Sequence, residues 1–288
     1  MKSAPAMKLK DCQMNEKFKD IKISVVIPSF DGKRDGNVEK LKKQLNSQTL
    51  KPHEIVLSIG ISPNGRARNE GVKKASGNYY VFIDDDVTIG CEDMLEKLIN
   101  PFLENAKIGM TGPSQLIPED SSWLQKAAAR QMPRSEFPVQ DKLVDSDMVT
   151  HMCLCMPADL FNELGGENPD IIAGTDPDLR HKVREAGFRV CVVPHCWAYH
   201  PMPDTFWKLL KLSYLKGKNS AIVGKTHPEL VLELDAGFRK EFAPRKTLFF
   251  RILRNLWILL YCIVTLKFIR LLTTMMYIWG NARERLKK

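Results

Sequence analysis

Tyr79-Tyr80-Val81-Phe82-Ile83-Asp84-Asp85-Asp86-Val87 is the stretch on which the reading of this chain turns. Five aromatic or β-branched residues in a row predict a buried strand, and three carboxylates follow at its C-terminal end. In an open α/β sheet the ligand crevice lies outside the carboxyl ends of the strands. Three adjacent acids repel one another and lose hydration there unless a cation, or donors from a ligand, offset them. Hard oxygen ligands in that position suit Mg2+ or Mn2+ carrying a diphosphate. A solvated Asp turn that merely ends a strand has the same local sequence, so the flanking chain has to decide.

Working outward, Ile21–Pro28 reads as a buried strand closed by proline, and Ser29-Phe30-Asp31-Gly32 as a turn. Asn37 is placed to cap a helix whose inward face carries Val38, Leu41 and Leu45. Glu54–Ile59 is a second strand, so the default is a βαβ unit and a parallel sheet. Arg66–Gly71 opens another helix ahead of the acidic strand. After the triplet, Glu92 and Asp93 start an acidic-first helix bearing Met94, Leu95, Leu98 and Ile99. Strands are expected at 108–111, 148–156 and 189–193, with a short helix at 158–164 stopped by Gly165-Gly166. Thr175-Asp176-Pro177-Asp178 opens a helix over 179–186, with Thr175 as the expected cap. Strands and helices alternating over residues 21–203 predict a doubly wound α/β domain.

The order of short motifs along this domain resembles the family 2 glycosyltransferases of the GT-A fold. The match runs through Ile23-Ser24-Val25-Val26-Ile27-Pro28, Ala67-Arg68-Asn69-Glu70-Gly71, Phe82-Ile83-Asp84-Asp85-Asp86 and Phe161-Asn162-Glu163-Leu164-Gly165-Gly166. It continues through Asp176-Pro177-Asp178-Leu179, Glu185-Ala186-Gly187, Val193-Pro194 and Tyr199-His200. The resemblance implies a mixed GT-A sheet, a nucleotide-sugar donor and a divalent metal, Mn2+ or Mg2+. It makes the triplet a D-x-D motif, with Asp84 and Asp85 on the nucleotide side and Asp86 a metal ligand. It places His200 as a second metal ligand, Asp176 as the general base of an inverting transfer, and Asp178 beside it. Pro28, Asp31 and Arg68 fall among the implied donor-binding residues, Arg68 by pairing with diphosphate oxygens. A helix N-terminus would keep the Asp176 carboxylate ionised, the form a base needs.

Two departures stand out. Thr175 occupies a position where the family pattern usually has Glu, and Leu57-Ser58-Ile59-Gly60 lacks the acidic pair that often reads the nucleotide base. Both leave room for an alternative: a non-catalytic nucleotide-sugar-binding or membrane scaffold subunit with the same fold. A sugar-1-phosphate nucleotidyltransferase fits poorly, because no Gly-rich loop with a following basic residue succeeds the first strand. Zinc bound by His151, Cys153, Cys155, Cys191, His195 and Cys196 lacks knuckle spacing.

Charge adds a second feature. The 288 residues carry a net +9, but the segment from Arg239 to Lys288 holds twelve Lys and Arg against two Glu, leaving −1 for the rest. A neutral body with a basic, apolar tail favours anionic lipid over nucleic acid. Residues 204–218 read as an amphipathic helix, and 249–279 is richly apolar but interrupted by Arg251, Arg254, Lys267 and Arg270. Its longest uninterrupted run, Leu256–Leu266, is eleven residues, short of the ~20 a spanning helix needs. Helices lying in the membrane interface are the expectation, with soluble packing or a homodimer interface as the alternative. Seven scattered cysteines without a CxxC pair, and no apolar leader in residues 1–20, point to the cytoplasmic face of the membrane. The expected organisation is an extension (1–20), the GT-A domain (21–203), an amphipathic segment (204–245), membrane-associated helices (246–280) and a basic end (281–288). The implied partners are a nucleotide-sugar donor, a glycan or lipid-linked acceptor, and membrane lipids.

Overall fold

A computed structural model describes residues 16–172, 175–226 and 247–287. The expected extension up to residue 15, the stretch 227–246 and Lys288 lie outside the described residues. Within them, strands β1 (Ile23–Ser29), β2 (Glu54–Ile59), β3 (Tyr79–Ile83), β4 (Thr88–Ile89), β5 (Ile108–Leu116), β6 (Val144–Asp145), β7 (Cys153–Pro157) and β8 (Arg189–Tyr199) form one sheet. Its order is β2-β1-β3-β7-β5-β8-β4, with β6 paired to β8. The pairs β1–β2, β1–β3 and β5–β8 are parallel, whereas β7 runs antiparallel between β3 and β5. The α/β class expected from the alternation is thus observed, and antiparallel β7 replaces the all-parallel default with the mixed sheet that the resemblance implies.

Period-2 alternation in β1 divides the core. Ile23, Val25 and Ile27 face a layer containing Leu41 and Leu45 of helix α1 (Asn37–Asn46) and Leu95, Leu98 and Ile99 of α3 (Met94–Glu104). Val26, with Tyr80 and Phe82 of β3, faces Phe161 of α5 (Ala158–Glu163) and Leu179 and Val183 of α6 (Thr175–Glu185). Phe82 and Phe161 have ring centroids 5.1 Å apart, and full burial of each ring stabilises by roughly 1.5–3 kcal/mol. Apolar covers on both faces leave the C-terminal edge of β1 and β3 as the open end where polar residues can gather.

Several local expectations shift. Helix α2 (Asn64–Val72) begins two residues before Arg66. Asn37 is the first residue of α1 rather than its cap. Gly36 holds the cap position in the left-handed region, and the Asn37 amide donates to the carbonyls of Asp85 and Val87 at 2.8 and 3.0 Å. The strand expected over 148–156 begins only at Cys153, because polar partners claim the backbone before it. The Val149 carbonyl accepts from Arg180 at 2.7 Å, and the His151 amide donates to Asp176 at 2.7 Å. Helix α4 (Trp123–Gln131) was not anticipated, although Ser122 and Gln125 form a capping box, each side chain accepting from the other's backbone N–H. Gly165 and Gly166 end α5 at positive φ, their amides donating to Asn162 and Phe161 carbonyls, as a helix stop requires.

The C-terminal region is helical: α7 (Phe206–Thr226), α8 (Leu248–Val264) and α9 (Phe268–Leu286). Helices α7 and α9 touch backbone to backbone. A Cβ on Gly217 would lie 2.0 Å from the Tyr277 carbonyl oxygen, and one on Gly280 would lie 2.2 Å from that of Tyr214. Tyr277 donates to Ser220 at 2.8 Å and Asn281 to the Gly217 carbonyl at 3.1 Å across this contact. Helix α8 buries only a narrow strip, with Ile258 and Cys262 inside. Phe249, Leu253, Trp257, Leu260 and Val264 are exposed along its other side, Trp257 at 68%. Among the described residues no helix is long and apolar enough to cross a membrane.

Candidate active site

Asp84 leaves the end of β3 with its amide tied to the Met152 carbonyl at 3.1 Å. Its Oδ1 accepts from Arg68 Nη2 at 2.7 Å. Arg68 projects from α2 and is 2% exposed, so it is a buried partner of the triplet rather than a solvated helix-start arginine. Its Nε–H is buried without an acceptor among the described residues. Asp84 and Arg68 line a cleft of ≈ 330 Å³ together with His151, Thr175 and Asp176. The sequence-predicted donor-side pair and base therefore face the same cleft.

Asp176 belongs to the first turn of α6. Its Oδ1 contacts His151 Nδ1 and accepts from the His151 amide, and its side chain is 32% exposed. His151 Nε2 contacts Glu167 on the other side, so the imidazole is held between two carboxylates. Glu167 is fully buried, and its backbone is gripped at both N–H and C=O by the Asn69 amide, at 3.0 and 2.8 Å. Burial and Arg68 work to lower the His151 pKa, but Glu167 and Asp176 outweigh them and push it up to about 9. Burial alone would raise the Asp176 pKa. The charge and hydrogen bond of His151, with Arg180, override it and hold the carboxyl far below its usual range. That direction favours the ionised carboxylate, and His151 leads the groups that lower its pKa. Thr175 turns its hydroxyl to His151 Nδ1 at 3.4 Å.

The rest of the triplet forms a second cluster beside the cleft. Asp85 accepts from the Ser29 hydroxyl at 2.6 Å, and burial raises its pKa. Asp86 Oδ2 accepts from Arg34 Nη2 at 2.8 Å, and Asp86 Oδ1 lies 3.4 Å from His200 Nε2. Burial works against the charge on Asp86, but His200 and then Arg34 hold its pKa below the ordinary value. Burial likewise opposes charge on His200, and Asp86 raises its pKa regardless. Asp86 Oδ1 is a buried oxygen with no hydrogen-bond donor. An orphaned carboxylate oxygen facing an imidazole nitrogen fits a divalent ion bound by two protein ligands, with substrate phosphates completing its shell. No three His, Cys, Asp or Glu side chains converge as a closed ion cage among the described residues.

Three predicted residues lie apart. Pro28 is buried within β1 opposite Ser58. Asp31 is exposed, and its carboxylate accepts from the amides of Lys33 and Arg34. Asp178 is buried one residue pair along α6, 3.4 Å from Lys182. Sequence reasoning missed Glu167, Asn69 as its clamp, and Arg34, and it weighed His151 only as a zinc ligand. A buried Glu directly after a glycine helix stop carries no periodic signal. Its partner is 98 residues distant in the chain.

A family profile described as "Glycosyltransferase like family 2" matches residues 8–214. No curated protein matches the sequence. Among solved structures the chain is similar to the mannosyltransferase PcManGT from Pyrobaculum calidifontis, in complex with GDP-Man and Mn2+. The TM-score is 0.57 at 13% identity, over 97% of this chain and 94% of the other. It is also similar to GalNAc-T7 with UDP, GalNAc and Mn2+, with a TM-score of 0.50 at 14% identity, over 73% of this chain and 52% of that one.

Proposed function

This chain belongs to the glycosyltransferase-like family 2, and from that premise we propose that it is an inverting, metal-dependent hexosyltransferase. It moves a sugar from a nucleoside-diphosphate donor to a hydroxyl of a lipid-linked or nascent glycan. One observation carries the reading: Asp84, Arg68 and Asp176 line a single cleft, with the Asp86–His200 pair alongside. Donor groups and a base lining one cleft suit a single displacement at an anomeric carbon. Asp86 and His200 would hold Mn2+ or Mg2+, which would supply positive charge to the departing diphosphate. The neighbours named with Mn2+ support that choice of ion. The unpartnered Arg68 Nε–H is a donor for a diphosphate oxygen. Asp176 receives the acceptor's proton on the carboxylate that His151 orients.

The C-terminal helices support attachment at the cytoplasmic face of a membrane. The exposed apolar side of α8 bears two phenylalanines and Trp257, and the surrounding segment is basic, the composition of an interfacial helix. Cys91, Cys153, Cys155, Cys191 and Cys196 are thiols rather than disulfide halves, which supports a reducing compartment. A panel of UDP-, GDP- and TDP-sugars with Mn2+ or Mg2+ on detergent-solubilised protein tests the activity and reads the base preference. Nucleoside diphosphate release from one donor class is expected. Metal-dependent binding of a donor with no hydrolysis, and no transfer to any glycan or lipid acceptor, would instead favour a non-catalytic subunit.

A further inference from the structure

The loop after β1 is built around a side chain that neither the motif reading nor the proposed chemistry uses. Arg34 and Asp35 both sit at positive φ, 44° and 53°, a region that non-glycine residues seldom adopt in succession. Contacts on both sides hold them there. Asp31 Oδ1 accepts from the Lys33 and Arg34 amides, each at 2.9 Å. Asn37, immediately beyond the turn, donates to the carbonyls of Asp85 and Val87. The turn is thereby registered against Asp85 of the acidic triplet and Val87 just beyond it. Its product is a guanidinium laid on that triplet, with Arg34 Nη2 2.8 Å from Asp86 Oδ2 and Nε 3.7 Å from Asp85 Oδ1. The Arg34 side chain is 52% exposed, so it has room to leave.

A guanidinium on Asp86 Oδ2 and a divalent cation on the Oδ1 that faces His200 repel each other across one carboxylate, so the arriving ion weakens the Arg34 contact. We propose that Arg34 is an internal counter-cation of Asp86 that gives way to the divalent ion and then pairs with the donor's diphosphate. The exchange keeps the triplet neutralised before the donor arrives. It also brings a fork-shaped donor, suited to phosphate oxygens, to the mouth of the site. This assignment rests on Asp86 being a metal ligand.

The test is Mn2+ binding followed by electron paramagnetic resonance on the full chain, alone and with inorganic pyrophosphate as a base-independent probe. For Arg34→Gln, Mn2+ alone should bind about two- to fivefold tighter, the size of a half-exposed ion pair, whereas pyrophosphate in saturating Mn2+ should bind more weakly. Opposite signs separate the exchange from a folding defect, which would weaken both, and circular dichroism melting of the variant checks the fold directly. Unchanged or weaker Mn2+ binding in Arg34→Gln overturns the exchange. Asp86→Ala serves as the second arm. If it abolishes Mn2+ binding while Arg34→Gln changes nothing, only the Arg34 assignment fails. If Mn2+ binds equally with and without Asp86, the metal site itself is wrong and both readings fall.

Discussion

Replacing His151 with leucine removes the cation between Glu167 and Asp176 while keeping a side chain of comparable bulk. The two carboxylates lift the imidazole from an ordinary 6.5 to about 9. At 1.36 kcal/mol per pH unit the native pairing contributes roughly 3 kcal/mol of stability. His151 is 5% exposed at its side chain, so solvent screening takes little from that figure. The sign follows from the direction of the rise. A group whose folded pKa is raised contributes fully below its unfolded pKa and loses that contribution as pH climbs through the folded value. The native protein should therefore weaken by about 3 kcal/mol between pH 6.5 and pH 9 on this account, relative to His151→Leu. Urea unfolding midpoints for both proteins, collected from pH 6 to pH 10, measure the gap. It should be on the order of 3–5 kcal/mol at pH 6, the cost of leaving buried carboxylates unpaired, and close progressively toward pH 10. A gap that stays constant with pH would refute the charged sandwich. The same variant should move the acid limb of kcat/KM upward, because Asp176 loses the partner that keeps it ionised.

Other outcomes follow from the same geometry. Arg68→Ala strips Asp84 of its 2.7 Å partner and should cost about 1.5–3 kcal/mol, read as a lower melting temperature together with weaker nucleotide binding. Gly217→Leu drives a side chain into the Tyr277 backbone and should destabilise the α7–α9 contact by about 1–3 kcal/mol, with the melt broadening or splitting if this region unfolds first. Trp257→Lys combined with Leu260→Lys places charge on the exposed face of α8. It should abolish flotation with anionic phosphatidylserine vesicles while leaving the far-ultraviolet spectrum unchanged, and undiminished flotation would remove α8 as the anchor. Sedimentation of the native protein without detergent tells a lipid-binding face from a homodimer face. Chelation by EDTA should abolish donor turnover, and Mn2+ or Mg2+ should restore it.

The order of elements and the buried faces were legible because they depend on local rules. The alternation of Ile23, Val25 and Ile27 with Val26, and the spacing of Val38, Leu41 and Leu45, state which side is buried before any contact is known. Asp84, Arg68 and Asp176 were legible through motif order, and they line one cleft. What escaped was set by distant partners. Residues 148–152 have the composition of a strand, yet Arg180 and Asp176 take their backbone groups and turn them into the loop that presents His151. Glu167 and Asn69 meet across 98 residues, and neither side chain alone betrays the other. Arg34 gave no signal, and Asn37 looked like a cap residue, because their acceptors lie on the acidic loop some 50 positions away.

Donor binding and proton acceptance share one cleft, with Asp176 receiving the proton. Asp176→Asn tests it most directly, with the preferred nucleotide sugar and Mn2+ or Mg2+. Calorimetry reports donor binding, and product release reports transfer. The account predicts donor affinity close to that of the native protein and turnover reduced by about 10²–10⁴-fold, with the fold intact. Turnover at the native rate would contradict it.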